Sequence, residues 1–583
     1  MRSLAYLLLT LTFLLVCCSP HPNTSEFDLW SKVSLQFEGP ATSELSRVNP
    51  FTDYRMDITF TSPSNQVFNV PGFFCADGDA SESGSTQGNI WQVNFCPNEV
   101  GQWSYSCSFV TGDKVAAEQN GGKPAGHFDK ATGSFMVVPK EYTDPKDFRA
   151  KGKLIYNNQH YLQFTETGEY FLKAGANSPE VFLEYAEFDN TPSSRLYSNH
   201  IQHWNDGDPT WHDDMGKGII GSINYLSDLD LNAYYFLTMN AYGDGKQAWP
   251  FIHQDSIFRY DCSKLDQWDI LFQHMTHKGI MPHLVLSETE NESYFEIQES
   301  GKPGGFADSR KIYYREMVAR FGYLPAITWN IGEENGWDEG EGYNIPNTNF
   351  QRREAVDEIR SLTYYNDHIT IHNGPSDEDW IYDSLLTVKS FTGPALQWGF
   401  GTEIHDRVLK WRNLSRTGVQ PWVVSMDEAW LDPALGDLDV WRTEVVWGTL
   451  MAGGAGVELY VGAGQDLQIE DFSPYGDYYE AVTIAVNFFQ RYIPYWEMEP
   501  IAFVEDNAWV LANDNTYLLY SKNDGDIHLS IPNGKYSVRR FDPIIGGDIL
   551  NEQMDVFINN NSIRLQSNTD KVTKGLVYLI ELH

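Results

Sequence analysis

Between residues 281 and 334 the chain reads MPHLVLSE (281–288), then the helical segment REMVARFG (315–322), then AITWNIGEE (326–334). An apolar strand, a stretch of 3.6-residue periodicity and a second apolar strand form a β/α unit, with parallel strands and the helix laid over them. Working outward, the same alternation gives eight strands. They are YFLKAG (170–175), AYYFLTMN (233–240), MPHLVLSE, AITWNIGEE, HITIHNG (368–374), LLTVKSFTG (385–393), PWVVSMDEA (421–429) and GVELYVG (456–462). Helices lie between them, among them KGIIGSINYLSDL, with Ile219, Ile220, Ile223 and Leu226 on one face, and KLDQWDILFQHMTHKG. Eight such strands across residues 140–500 predict a (β/α)8 barrel. An open doubly wound sheet is the rival, and no Gly-rich phosphate loop opens any helix to support it.

Either side of the barrel the texture is different. Residues 24–139 hold short alternating runs, VSLQFEG, RMDITFTSP, IWQVNFCPNEVGQWSYSCSF and GSFMVVP, punctuated by Gly, Pro and Asn, which predicts a β-sandwich. Residues 501–583 return to short strands with Asn-Gly and Asp-Gly turns, a second, smaller β-sandwich. The fold class is therefore α/β, a (β/α)8 barrel flanked by two β-sandwiches. Both flanking domains are expected to pack on the barrel and to take no part in chemistry, because neither offers paired acids at clustered strand ends.

The first eighteen residues, MRSLAYLLLTLTFLLVCC, carry an early Arg2, an apolar run and a pair of cysteines, the layout of an export signal. The Leu-Val-Cys-Cys ending resembles a bacterial lipobox, with Cys18 the expected lipidated residue and Cys17 or a plain cleaved signal the alternatives. No later stretch is long and apolar enough to cross a bilayer. The expected address is exported, periplasmic or at the cell surface, with membrane attachment only through the lipid anchor. The other cysteines, Cys75, Cys96, Cys107 and Cys262, match no zinc spacing; Cys96 and Cys107 flank a turn and either pair across a hairpin or remain buried thiols. Forty-one Lys and Arg against 80 Asp and Glu give a net charge of −39, the wrong sign for neutralising nucleic-acid phosphates. The fifteen histidines show no HExxH-like spacing, so neither metal nor cofactor is expected.

Catalysis in such a barrel is expected where the strands end, and acids gather there. The third strand closes on Glu288 and Glu290, the fourth on Glu333 and Glu334, the seventh on Asp427 and Glu428. Alternation along the fourth strand puts Ile327, Trp329, Ile331 and Glu333 on one face and Thr328, Asn330, Gly332 and Glu334 on the other. With the apolar face under the helices, Glu334 points inward beside Asn330. The same test on the seventh strand does not choose between Asp427 and Glu428. Two carboxyl groups facing across a sugar are what glycosidic cleavage needs, one to protonate the leaving oxygen and one to attack or to activate water. Trp204, Trp211, Trp249, Trp337, Trp398 and Trp430 stand near strand ends and offer flat faces either to sugars or to the core.

Trp329-Asn-Ile-Gly-Glu-Glu334-Asn resembles the Trp-x-x-Gly-Asn-Glu motif of the large retaining clan of (β/α)8 glycoside hydrolases, departing from it by Glu333 in place of Asn. The resemblance implies Glu334 as acid/base and Glu428 as nucleophile, with Asp427 and Glu333 as alternatives. The candidate substrate-binding residues are Asn330, Glu288, Glu290, His372, Trp398 and Trp204. The blocks at 172–191, 231–251 and 260–292 are similar to a group of exported bacterial proteins. That group joins an immunoglobulin-like domain of unknown function to an apiosidase-like barrel and a C-terminal β domain of collagen-binding type. The expected activity is hydrolysis of plant or algal polysaccharide or its oligosaccharides, retaining and exo-acting; a non-catalytic carbohydrate- or matrix-binding lipoprotein is the alternative. The loop holding His200, His203, Trp204, Trp211 and His212 is expected to wall the site, and Lys173, Lys246 or Arg407 would line its mouth if the sugar were anionic.

Overall fold

The computed structural model describes residues 25–583 apart from 339, 341, 375–377, 400–402, 431–436, 463–464, 503–507, 523–524 and 567–574. The segment read as an export signal, with Cys17 and Cys18, lies outside the described residues. Eight parallel strands form the central sheet: β1 (Lys173–Ala176), β2 (Ala233–Leu237), β3 (Met281–Val285), β4 (Thr328–Asn330), β5 (His368–Thr370), β6 (Ala395–Gly399), β7 (Ser425–Trp430) and β8 (Gly456–Leu459). Their order, 5-4-3-2-1-8-7-6, brings β5 and β6 to the two edges. A parallel bridge between His372 and Ala395 and the bond from Ala395 N to Ile371 O (3.0 Å) join those edges. The described sheet is thus a nearly closed barrel.

Seven of the eight strands overlap the segments read from the sequence, two of them running one residue further, and the sixth does not. Leu385–Val388 forms turns, and the sixth strand is ALQWG, ten residues further on. The β-branched and aromatic run LLTVKSF has the composition of a strand, but Pro394 is what introduces the real one, at the position where a missing N–H costs the ladder least.

The main helices are α1 (Lys217–Asp228), α2 (Cys262–His277), α3 (Asp308–Phe321), α4 (Asn349–Leu362), α5 (Ile404–Thr417) and α6 (Gly476–Tyr492). Their starts are chemically marked: the Asp261 side chain accepts from Lys264 N at the head of α2, and Thr348 and Gln351 form a reciprocal capping box on α4. A small antiparallel sheet, Leu154–Tyr156, Leu162–Phe164 and Tyr170–Phe171, floors the barrel at its N-terminal end. Leu154 N bonds Pro325 O, just before β4, and Tyr156 N bonds Asn366 O, just before β5. The buried Lys153 ties the same floor to Asp367 at 2.8 Å.

The N-terminal region is a sandwich of a six-stranded and a three-stranded sheet, filled by aromatics such as Phe60 and Phe95, whose rings stack at 4.3 Å. It packs against α2 and α3. Arg320 is the pin: its guanidinium bonds Glu316, Asp266 and the sandwich carbonyl of Phe74. The C-terminal region pairs a six-stranded with a two-stranded sheet and meets the barrel through Phe541 on Phe488 (4.2 Å) and Tyr520 on Trp447 (4.9 Å). All four described cysteines are free and buried, so Cys96 and Cys107 do not pair. Arg320→Leu leaves Asp266 and Glu316 without their cation in a buried interface, a loss of roughly 3 kcal/mol; the expected result in a thermal melt is a midpoint several degrees lower, with a separate early transition for the sandwich.

Candidate active site

The interior of the barrel is polar where such interiors are usually branched and apolar. Lys173 reaches up from the start of β1 to both oxygens of Asp427 on β7 (2.8 Å each) and to Glu458 on β8 (3.2 Å). Glu458 has room to do this because its register partner is Gly175, where a Cβ would sit 2.5 Å from the glutamate stem. Burial works to lower the Lys173 ammonium, and the two carboxylates outweigh it, holding the group above the usual lysine value. His283 Nδ1 donates to Glu458 (3.0 Å), which leaves Nε2 to accept from Asn330 (3.1 Å), and Asn330 Oδ1 accepts from Gly332 N (3.1 Å). A chain of bonds thus runs from β8 through β3 to the turn after β4. Lys173 lies beneath the mouth with its charge already paired, and so it does not line the mouth for an anionic sugar.

Above this network lie the acids of the strand ends. Leu396 pairs with Met426, but Gln397 pairs with Glu428, so Asp427 is one residue more than its partner strand supplies. Such a bulge breaks the alternation of faces. Asp427 therefore points down to Lys173 while Glu428, its neighbour, also faces the interior, one layer higher. The Gln397 amide donates to Glu428 Oε1 and to Glu334 Oε1, each at 2.7 Å, and so stands between the two carboxylates. Gln397 was hidden from sequence reasoning by the misplaced sixth strand; the polar residue inside the apolar ALQWG run is the signal that points to it.

Glu334 has φ 43°, in the left-handed region that a non-glycine residue occupies at a cost of about 1 kcal/mol. The flanking bonds hold it there: Glu333 N to Ser287 O (2.9 Å), Asn335 N to His372 O (2.8 Å) and Gly336 N to Glu292 (3.0 Å). Arg352 Nε in turn donates to the side-chain oxygen Oδ1 of Asn335 at 2.5 Å. Glu333 is buried, and burial first, then the charges of Glu334, Glu180 and Glu428, push its carboxyl well above the usual range. Burial and Glu334 do the same to Glu428, against the Gln397 bond. His372 bonds the Tyr235 hydroxyl through Nδ1 (2.7 Å) and turns Nε2 toward Glu428 Oε2 at 3.5 Å. Glu180, in the loop after β1, and Tyr460, after β8, carry shifts caused in part by Glu428 and belong to the same mouth; nothing in the sequence singles them out.

The remaining residues take other places. Glu288 caps the turn after β3, accepting from Asn291 (2.8 Å) and Asp244 N (3.1 Å), and Gly243 leaves the room for it. Glu290 is half-buried beside it and contributes to the shift of Glu333. Trp398 stacks under the Arg407 guanidinium at 3.6 Å. Trp204 lies under Lys217 and donates to Pro209 O, Trp211 is core against Phe188, and His212 bonds Asp189 and Glu82 O. His200 accepts from Phe472 N, and Arg195 bonds two carbonyls of the loop after β8, so the first and eighth loops are laced into one wall. The Trp430 side chain lies outside the described residues. Among the described residues two groups have metal-ligand spacing, with ligand atoms within 4.8 Å of one another: His283, Asp427 and Glu458 below, and Glu333, His372 and Glu428 above.

The fold and site define a (β/α)8-barrel protein with buried, paired carboxylates at the C-terminal ends of β4 and β7. Residues 26–110 match the model of a domain of unknown function, DUF5060. No curated protein sequence matches the chain. Among solved structures, a protein of Bacteroides vulgatus ATCC 8482 provisionally named a glycoside hydrolase superposes with a TM-score of 0.64 at 14% identity, covering 96% of this chain and 100% of its own. A glycoside hydrolase family 5 protein of the same organism gives 0.54 at 12% identity, covering 75% of this chain and 94% of its own. A third structure, a glycoside hydrolase, gives 0.50 at 13%, covering 74% and 97%. At these identities the likeness is one of fold.

Replacing Lys173 by Met strands two buried carboxylates, so a loss of about 3–5 kcal/mol is expected in denaturant unfolding; a change below ~1 kcal/mol would show that the network carries no stability. The pH dependence has a definite sign. By about pH 6.5 the unfolded chain has released its carboxyl protons, and from about pH 7 most of its imidazole protons as well. Folded Glu44, Glu292 and Asp466, pushed up to about 7 chiefly by burial, still hold theirs. The folded state then binds more protons, so stability falls as pH rises through 7 and the melting temperature should drop between about pH 6.5 and 8.

Proposed function

We propose that the protein is a retaining glycoside hydrolase in which Glu334 is the acid/base and Glu428 the nucleophile. The observation that carries this is the Gln397 amide donating to both carboxylates at 2.7 Å. Their accepting oxygens can be no farther apart than those two bonds laid end to end, which favours the ~5–5.5 Å between carboxyl groups of a retaining pair over the ~6.5–9.5 Å that admits a water between them. Glu428 attacks the anomeric carbon while Glu334 gives its proton to the leaving oxygen. Water, deprotonated by Glu334, then releases the sugar from the ester and returns the carboxylate. Asp427, neutralised by Lys173, serves as a positioning group one layer below.

The substrate we infer is an oligosaccharide of plant or algal origin, taken from its end. Supporting this are the long loops 177–216, 238–261 and 286–307 that surround the strand ends, and the lacing of the first loop to the eighth. The export signal read in the first eighteen residues supports an address in the periplasm or at the cell surface, attached through Cys18.

Glu334→Gln is isosteric and should keep the fold while lowering kcat on a natural oligosaccharide by orders of magnitude; an aryl glycoside with a good leaving group should suffer less in its first step, and azide should restore turnover. Proton NMR of the first-formed product should show the anomeric configuration of the substrate. An inverted product would reassign the pair, an unchanged kcat in Glu334→Gln would remove Glu334 as the acid, and a wild-type protein that binds glycosides without cleaving any would be a binding protein in place of an enzyme.

A further inference from the structure

The barrel stacks two carboxylate-and-imidazole groups, and only one of them contains its own cation. The lower group, His283, Asp427 and Glu458, is neutralised by Lys173. The upper group is Glu333, His372 and Glu428, and among the described residues no Lys or Arg forms an ion pair with either glutamate. His372 is fully buried; its Nδ1 is engaged with the Tyr235 hydroxyl, and its Nε2 has no hydrogen-bond partner. In the tautomer in which Nδ1–H donates to the Tyr235 oxygen, Nε2 directs a lone pair at Glu428 Oε2, 3.5 Å away. A lone pair facing a carboxylate is repulsive unless a proton or a metal cation lies between them.

We propose that Glu333, His372 and Glu428 form a binding site for a divalent transition-metal ion of the zinc class. One imidazole nitrogen and two carboxylates suit zinc and its neighbours, whereas calcium and magnesium call for six or more oxygens. Tetrahedral ligands at zinc bond lengths stand about 3.4 Å apart, close to the 3.5 Å between His372 Nε2 and Glu428 Oε2. The third ligand atom lies within 4.8 Å of the other two and reaches the ion by a small carboxylate rotation. Tyr235 takes the outer-shell role, fixing the tautomer and the plane of the imidazole. An ion held there occupies the carboxylate assigned above as nucleophile, so metal and sugar exclude one another; this last consequence alone rests on the glycosidase reading.

Chelator-treated full-length protein, titrated calorimetrically with zinc chloride, is expected to bind one ion at this site, and both Glu333→Gln and His372→Ala should weaken that binding at least about tenfold. His253→Ala, which removes an exposed imidazole elsewhere, should leave it unchanged. Cobalt(II) in place of zinc should give visible absorption bands that disappear in His372→Ala. If His372→Ala does not fold by circular dichroism, Glu333→Gln, which preserves shape, decides alone. No binding to the wild-type protein, or binding equal in wild type and Glu333→Gln, overturns the site. On an aryl glycoside that the protein cleaves, zinc should raise the apparent KM and leave kcat in place. If no glycoside is cleaved, the glycosidase reading fails while the calorimetric and cobalt results still decide the metal site.

Discussion

The Lys173 ammonium lies between Asp427 and Glu458, inside a ring of strands and out of reach of water. An isolated charge there would cost several kcal/mol in lost solvation, and removing any one partner would leave the others exposed to that cost. The three residues come from adjacent strands, β1, β7 and β8, so their pairing fixes the relative height of those strands. His283 and Asn330 extend the constraint across to β3 and β4 and end on Gly332 N, two residues before Glu334. The polar interior is thus continuous with the turn that presents Glu334. A barrel filled with Val, Ile and Leu would be as stable, but it would not tie the position of one mouth carboxylate to the other side of the ring.

Two local departures from regular structure then set the site. The bulge at Asp427 lets consecutive residues face inward, one downward into the ion pair and one upward to the mouth. The left-handed turn at Glu334 bends the chain at the end of β4, so that Glu333 and Glu334 both border the mouth where an extended strand would have sent them to opposite faces. Gln397 sits where these two distortions meet, on the strand that pairs with the bulge. Neither distortion would persist alone. The first is held by Lys173 and by Asn177 donating to Asp427 O, the second by Glu292, Arg352 and the bridge to β5.

The flanking sandwiches act on the outside of the same ring. Arg320 links α2, α3 and the N-terminal sandwich, and Tyr364 and Tyr365, beyond α4, bond the backbone of Cys96. The mouth, on the strands' C-terminal side, keeps its own walls, formed by the barrel's loops. Part of the chain's acid lies there: Glu180, Glu333 and Glu428 all sit where burial and the charge of neighbouring carboxylates raise their pKa. Such a mouth repels anionic sugars and draws cations, and a bound cation or a shared proton is the means by which so many carboxyl groups coexist in a low-dielectric space.

The barrel was legible in the sequence because parallel strands buried on both faces are long, apolar and spaced by amphipathic helices, so that period and composition repeat eight times. The acids at the ends of β3, β4 and β7 were legible for the same reason, since a polar residue closing an apolar run marks the end of the run. Alternation along AITWNIGEE sent Glu334 inward because that strand has one apolar and one mixed face. The choice between Asp427 and Glu428 could not be read this way, because a bulge is a property of two strands and depends on which residue of β6 stands opposite. The sixth strand itself was misread at LLTVKSF, where β propensity is strong, because propensity is local and closure of the ring is not. Lys173, Gln397 and Tyr235 come from three strands and His372 from the segment after β5, spread over 225 residues of chain. Their meeting was decided by the tertiary structure alone, because the energy of a buried charge depends on what surrounds it in space, and sequence distance carries no record of that.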